Sequence, residues 1–139
     1  RATCDYLLID PPPRLGLFSL NALASAARVL VPLQLHAYAL RAMPQLETTI
    51  ALVQEINPGL EIGGILCTMA DRRTNISQEV EREVRERYGT LVFETTIPIN
   101  VKLAEAPTHG QPINRYAPSS AGAQAYAALA DELEGHYGQ

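Results

Sequence analysis

Short apolar runs alternate with helix-forming segments along the whole chain, and this alternation restricts the fold more than any single motif does. Because strands separated by helices cannot pair as hairpins, they form a parallel sheet with right-handed crossovers. We therefore expect residues 1–139 to form a single α/β domain, a parallel β-sheet with flanking helices. The strands are predicted at residues 6–9, 29–33, 62–69 and 91–97, and the helices at about residues 18–27, 40–56, 79–87, 101–105 and 120–134.

The composition fits such a domain and limits the classes of function. Of the 139 residues, 47% are hydrophobic and 19% are charged, which is enough for an ordinary buried core. The net charge of -4 argues against a protein whose whole surface coats nucleic acid, although it leaves room for a small basic patch. No uninterrupted apolar stretch approaches the roughly 20 residues that cross a bilayer, so we expect a cytoplasmic protein with no membrane partner.

Cys4 and Cys67 are the two cysteines of the chain, and each lies in an apolar run. Neither has a second cysteine or a histidine at the spacing of metal ligands. Because free cysteine is among the most buried residue types, we expect both side chains to be buried thiols.

The predicted architecture also indicates where a ligand binds, since ligands of open parallel sheets lie at the carboxyl ends of the strands. This rule selects the loop of residues 10–16, the segment after Leu33, the polar loop of residues 69–75 and residues 98–107. Binding and catalytic residues are disproportionately found on such loops.

Asp10 ends the first apolar run and is the candidate catalytic carboxylate. P-loop nucleotidases place an acidic residue in this way, near magnesium and the γ-phosphate. Acidic residues also end buried strands for solubility, so the pattern by itself leaves both interpretations open. The loop that follows contains three prolines, which stiffen it, and Gly16, which permits close approach of a ligand. Such a loop could sense a γ-phosphate.

Residues 6–16 resemble the Walker B and switch segment of the ParA/Soj chromosome and plasmid partitioning family. The resemblance continues in order along nearly the whole chain, which makes it far more specific than one acidic residue after a strand. Its further motifs are residues 21–23, 31–34, 38–40, 66–69 with 71 and 73–75, 97–107, 109–110 and 122–123.

The resemblance implies the C-terminal portion of a doubly wound, three-layer P-loop fold. It also implies an ATP-dependent protein of the bacterial cytoplasm that forms a homodimer around nucleotide and binds nonspecific DNA on the nucleoid. A ParB-like centromere-binding partner would stimulate hydrolysis of ATP and so release the protein from DNA.

The same resemblance implies roles for individual residues. Asp10 would act on Mg²⁺, through water. Arg73 and Lys102 would contact DNA phosphates, although isolated basic residues often only solvate loops. Five residues on two loops would frame the adenine of ATP, namely Met69, Asp71, Pro98, Ile99 and Asn100.

Some positions depart from the family pattern. Pro11 and Arg14 stand where the family has cysteine and serine, which predicts a more rigid and more basic switch. Ile99 replaces an arginine, so one expected DNA contact is missing. Arg115 is a weaker third basic candidate.

The sequence contains no glycine-rich turn followed by lysine and a hydroxyl residue, which is how a P-loop holds phosphates. Lys102 is the only lysine. We therefore expect that the N-terminal P-loop half of the fold is absent, that the complete protein uses ATP and Mg²⁺, and that this chain alone binds neither and is not catalytically competent.

Three alternatives remain. The chain could be a non-catalytic binding or dimerisation module whose sheet edge at residues 6–9 pairs with another polypeptide. It could instead belong to a ParA-like ATPase that positions another cargo. A membrane-associated relative of the MinD type is disfavoured, because Asp131, Glu132 and Glu134 make the last helix acidic where that type needs a basic one.

Overall fold

The structure is a computed structural model that describes residues 4–13 and 16–138. Three strands form one sheet in the order β1-β2-β3, and both neighbouring pairs are parallel. Their bounds are Arg28–Gln34 for β1, Glu61–Ala70 for β2 and Val92–Pro98 for β3. The expected parallel sheet with flanking helices is confirmed.

Six α-helices surround this sheet in the described part of the chain. Helix α2 connects β1 to β2 and α3 connects β2 to β3, as parallel pairing requires. Two short 3-10 turns, Gly89–Leu91 and Ala106–His109, precede β3 and follow α4. The helices are α1 (Leu17–Ser25), α2 (Ala39–Val53), α3 (Asn75–Tyr88), α4 (Val101–Glu105), α5 (Ile113–Tyr116) and α6 (Ala121–Tyr137).

The two faces of the sheet are covered by different helices. Ile65 and Cys67 of β2 pack on one face with Val84 of α3, while Leu66 packs on the other face with Leu129 of α6. Successive side chains of a strand point to opposite faces, so the continuous apolar run of β2 is buried on both sides. The domain therefore has three layers, with the sheet in the middle.

Residues 6–9, predicted as the first strand, belong to no strand, and the prediction of four strands is wrong for the described residues. Leu7 and Leu8 are 80% and 83% exposed, and Tyr6 and Ile9 are also exposed. An apolar run becomes a strand only when a neighbouring strand takes up its backbone hydrogen bonds, and β1, β2 and β3 pair only with one another.

The two cysteines differ from each other. Cys67 is fully buried, as expected, and burial raises the pKa of its thiol to about 11, so the thiol stays protonated at neutral pH. Cys4 is exposed, which corrects the expectation that both thiols are buried. It precedes the exposed apolar run of residues 6–9, which pairs with no strand in the described ranges. No helix in the described ranges is long and apolar enough to cross a membrane.

Candidate functional site

The carboxyl ends of β2 and β3 lie side by side. Ala70 pairs with Pro98, and the backbone N–H of Ile99 donates a hydrogen bond to the carbonyl oxygen of Ala70 at 3.1 Å. These contacts place the segment of residues 69–71 directly beside residues 98–100. The five residues predicted to frame adenine therefore occupy two adjoining segments at the edge where parallel sheets bind ligands. Their contact with adenine remains a prediction.

Met69 has an unusual backbone conformation at this edge. Its φ is +54°, and it is the one non-glycine residue with positive φ in the described ranges. It lies between Cys67 and Ala70, where the register of β2 against β3 shifts. An L-residue in this region is strained by about 1–2 kcal/mol. Such strain concentrates at ligand sites, and here it leaves the Met69 side chain 50% exposed at the strand end.

Asp71 organises the loop that follows β2. Its carboxylate accepts a bidentate pair of hydrogen bonds from the Arg73 guanidinium. Nε donates to Oδ1 and Nη2 donates to Oδ2, both at 2.9 Å. It also accepts the backbone N–H of Arg73 at 3.0 Å. The hydrogen bonds from Arg73 lower the pKa of Asp71 to about 2. The Asp71 backbone N–H donates to the hydroxyl of the buried Ser77 on α3, which fixes the loop to the domain.

Asn100 begins α4, because its side-chain oxygen accepts a hydrogen bond from the backbone N–H of Lys102 at 2.9 Å. The Lys102 ammonium lies 2.8 Å from Oε2 of Glu105, three residues further along the helix. The same oxygen accepts the hydroxyl of Tyr116 at 2.8 Å. The ring of Tyr116 stacks on His109, with ring centroids 4.8 Å apart. Lys102 therefore belongs to a cluster with Glu105, Tyr116 and His109.

The two candidate DNA-contacting cations follow neighbouring strands at the same edge of the sheet. The Arg73 side chain is 86% exposed and the Lys102 side chain 51% exposed. The pKa of Lys102 is raised by its hydrogen bond to Glu105, and the pKa of Arg73 is raised by Asp71, so both groups stay charged. An external phosphate can reach either side chain.

Asp10 is exposed on the segment that precedes α1 and makes no hydrogen bond or ion pair within the described residues. Its proline loop is joined to α1, because the Ser19 hydroxyl donates to the Pro12 carbonyl at 3.1 Å. No hydrogen bond or ion pair therefore joins Asp10 to the β2 and β3 loops in the described part of the chain. Arg14 lies outside the described residues.

The residues fit only part of a magnesium nucleotide site. Mg²⁺ is commonly held by one or two carboxylates, water and phosphates, so a single exposed Asp10 carboxylate is a suitable partner. Within residues 4–13 and 16–138, no three or more His, Cys, Asp or Glu side chains are grouped as metal ligands. The donors that would hold the phosphates of ATP do not occur in the printed sequence.

Several residues around the candidate site were missed by sequence reasoning. Glu105 stands three residues after Lys102, a spacing that could have indicated their ion pair. Ser77 and Tyr116 carried no such signal, because they reach the two loops from separate helices. Arg115 belongs to the short helix α5 and is exposed.

Comparison with known proteins identifies related partitioning ATPases. The family described as "AAA domain" matches residues 1–62. The chain is 48% identical over 138 residues to the chromosome-partitioning ATPase Soj of Treponema pallidum, covering 99% of this chain and 54% of that protein. It is 50% identical over 133 residues to the chromosome partitioning protein ParA of Myxococcus xanthus, covering 95% and 47%. The chain thus spans about half the length of the curated relatives it matches, and the resemblance to the ParA/Soj family is confirmed.

A solved structure is also similar. It is cobyrinic acid a,c-diamide synthase from Mycobacterium smegmatis with a bound ATP analogue and magnesium. The TM-score is 0.69 at 35% sequence identity, over 94% of this chain and 47% of that one. This likeness supports a P-loop-type α/β fold for the domain.

Proposed function

The chain belongs to the ParA/Soj family of partitioning ATPases, and we propose that it supplies one side of an ATP site together with a DNA-binding edge. The observation that carries the proposal is the pairing of Ala70 with Pro98, which sets the two loops side by side. The proposed role is nucleotide-dependent partitioning on the nucleoid of a bacterial cell.

In the nucleotide part of the proposal, Asp10 acts on Mg²⁺ through water. The backbone of residues 69–71 and 98–100 lines the adenine. Magnesium supplies charge neutralisation at the phosphates when ATP is bound. The phosphates themselves need a glycine-rich loop and a lysine, which the printed sequence lacks, so we expect no hydrolysis of ATP by these 139 residues alone.

In the DNA part of the proposal, Arg73 and Lys102 bind backbone phosphates without reading the base sequence. Phosphate contacts supply affinity and orientation but carry no sequence information directly. A homodimer presents two such edges to the duplex, and a ParB-like centromere-binding partner stimulates its release.

The DNA proposal is tested by measuring binding of random-sequence duplex DNA at several salt concentrations. The protein is the whole product of the gene, with ATP present. We expect Arg73→Ala and Lys102→Ala each to reduce the slope of log K against log salt by at most about 0.9 per protomer, the value for one full phosphate contact. Arg28→Ala is the matched control, because Arg28 pairs with Glu61 at the opposite end of the strands. Unchanged affinity and slope in the Arg73/Lys102 double variant would exclude these contacts.

The nucleotide proposal is tested by Asp10→Ala in the same whole protein. We expect loss of magnesium-dependent ATP turnover, while Asp5→Ala, in the same exposed segment, retains it. If Asp10→Ala turns over ATP at the normal rate, another residue supplies the carboxylate.

The exposed apolar run of residues 6–9 favours a second candidate function, a non-catalytic module that pairs with another polypeptide. Leu7 and Leu8 offer unusually accessible apolar surface beside a free segment of backbone. Sedimentation velocity of the 139-residue chain tests this idea. The module predicts concentration-dependent association that Leu7→Asp abolishes and Leu52→Asp, at another exposed leucine, does not. A chain that stays monomeric at all concentrations would contradict self-pairing.

A further inference from the structure

Both candidate DNA-contacting cations already pair with a nearby carboxylate, Arg73 within the loop after β2 and Lys102 within helix α4. Asp71 holds the Arg73 guanidinium by two hydrogen bonds at 2.9 Å, and Glu105 holds the Lys102 ammonium at 2.8 Å. A carboxylate presents two oxygens to a cation much as a phosphate does. Each cation therefore faces an internal substitute for a DNA phosphate.

The Lys102 side chain is the better constrained of the two. Oε2 of Glu105 accepts both Lys102 and the hydroxyl of Tyr116, each at 2.8 Å. Tyr116 is itself stacked on His109, and the Lys102 ammonium lies 5.8 Å from the centre of the Tyr116 ring. Glu105 is thus oriented from outside its own helix, by a residue of α5. Its hydrogen bonds with Lys102 and Tyr116 lower the pKa of Glu105, so the carboxylate is charged at neutral pH.

We propose that Glu105, and in the neighbouring loop Asp71, compete with DNA phosphates for Lys102 and Arg73 and so limit the affinity of the protein for DNA. The proposal rests on the DNA-binding function proposed above. A phosphate that approaches Lys102 must replace the Glu105 carboxylate, which then lies close to the polyanion. DNA binding exchanges one ion pair for another. Each cation therefore contributes less to the free energy of DNA binding than an unpaired cation would. We therefore expect the protein to bind DNA weakly and to dissociate from it quickly.

Glu105→Gln is the sharpest test of this competition. Glutamine has nearly the same size and keeps an oxygen that accepts the Tyr116 hydroxyl, while the negative charge facing Lys102 is removed. Asp71→Asn is less suitable, because Asp71 also accepts the backbone N–H of Arg73 and shapes the loop. The readout is again binding of random-sequence duplex DNA by the whole protein with ATP, at several salt concentrations.

We expect Glu105→Gln to bind DNA about two- to fivefold more tightly, the range of an exposed ion pair. The slope of log K against log salt should steepen by up to about 0.9, because Lys102 then counts as a full phosphate contact. In the Glu105→Gln/Lys102→Ala double variant the gain should vanish, since no cation is left to release.

Glu61→Gln is the matched control for a general change of net charge. Glu61 forms the same kind of exposed ion pair, with Arg28 at 2.8 Å, but at the opposite end of β2. We expect a gain in affinity clearly smaller than that of Glu105→Gln. An equal gain in the two variants, or a gain that persists without Lys102, would overturn the competition. If Lys102→Ala alone leaves DNA binding unchanged, the proposed DNA contact itself fails, which is a distinct result.

Discussion

The two outer strands of the sheet meet very different surroundings. Between its pairs with Val92 and Thr96 of β3, β2 has one residue where β3 has three, so β3 bulges there. The backbone N–H groups of Glu94 and Thr95 in this bulge donate to the two carboxylate oxygens of Glu132, at 2.7 and 3.0 Å. From α3, the Arg85 guanidinium donates to the Phe93 carbonyl at 3.1 Å.

The other outer strand, β1, has no such side-chain partners on its backbone within the described ranges. It pairs with β2, and Leu30 on it is 36% exposed. The exposed apolar residues 6–9 precede it in the chain. A bare strand edge is a template for pairing with a further strand, whereas charged side chains that take up the backbone groups end a sheet. We call the β3 edge closed, because side chains take up its backbone groups, and the β1 edge open, because its outer backbone groups have no such partners in the described ranges.

The largest expected effect concerns the β3 edge and the packing of Phe93, one of the three residues of the bulge. A Cβ added at Gly64 would lie 2.3 Å from the Phe93 ring, so Gly64→Ala displaces the ring. We expect the free energy of unfolding to fall by about 1–3 kcal/mol, measured by urea denaturation. In Gly135→Ala, in the last turn of α6 where nothing lies within 4 Å of the added Cβ, the free energy of unfolding should instead stay the same or rise by up to about 0.5–1 kcal/mol. Equal effects would refute close packing at Gly64.

The next test removes the carboxylate that holds the bulge. Glu132→Ala leaves the Glu94 and Thr95 amides without their partner, and we expect a loss of about 1–2 kcal/mol in unfolding free energy. Water takes over part of the bonding at this half-buried position, which keeps the loss moderate. Glu134→Ala, an exposed position of the same helix, should have little effect. A neutral Glu132→Ala would mean that Glu132 does not close the edge.

Hydrogen exchange compares the two edges directly. The amides of Glu94 and Thr95 should exchange about tenfold more slowly than those β1 amides that do not bond to β2, because hydrogen bonds to a charged acceptor are strong. Glu132→Gln should remove most of this protection. Similar exchange at both edges in the unaltered chain would contradict the contrast.

The smallest expected effect is the pH dependence of the stability that the Glu132 carboxylate contributes. Burial acts to raise the pKa of Glu132, but the hydrogen bonds from Thr95 and Glu94 outweigh it, and the pKa is lowered from 4.5. A carboxyl whose folded pKa is depressed stabilises the fold above its unfolded pKa and loses that contribution as pH falls through the folded pKa. The stability difference between the unaltered chain and Glu132→Gln should therefore be present near neutral pH and shrink as the pH falls through 4.5 and then through the lowered folded pKa. A constant difference would show that the charge contributes nothing.

Much of the fold was predictable from the sequence. The apolar runs at β1, β2 and β3 and the helices between them follow from local periodicity, and all were found. The candidate site was predictable in part, since residues 69–75 and 98–102 follow adjacent strands. Tyr116 beside Glu105 could not be foreseen, because the contact joins two separate helices.

The sequence by itself determined the order of elements from α1 to α4, the parallel pairing and the family, since each depends on residue types at fixed spacing. Tertiary structure alone decided which apolar runs are strands. Residues 62–69 and residues 6–9 are both apolar, yet only the first lies between paired neighbours, and Leu7 and Leu8 remain exposed. Tertiary structure also placed Tyr116 against Glu105 and Glu132 against the β3 bulge. Hydrogen bonds between distant segments depend on where the chain brings them, which residue types alone do not specify.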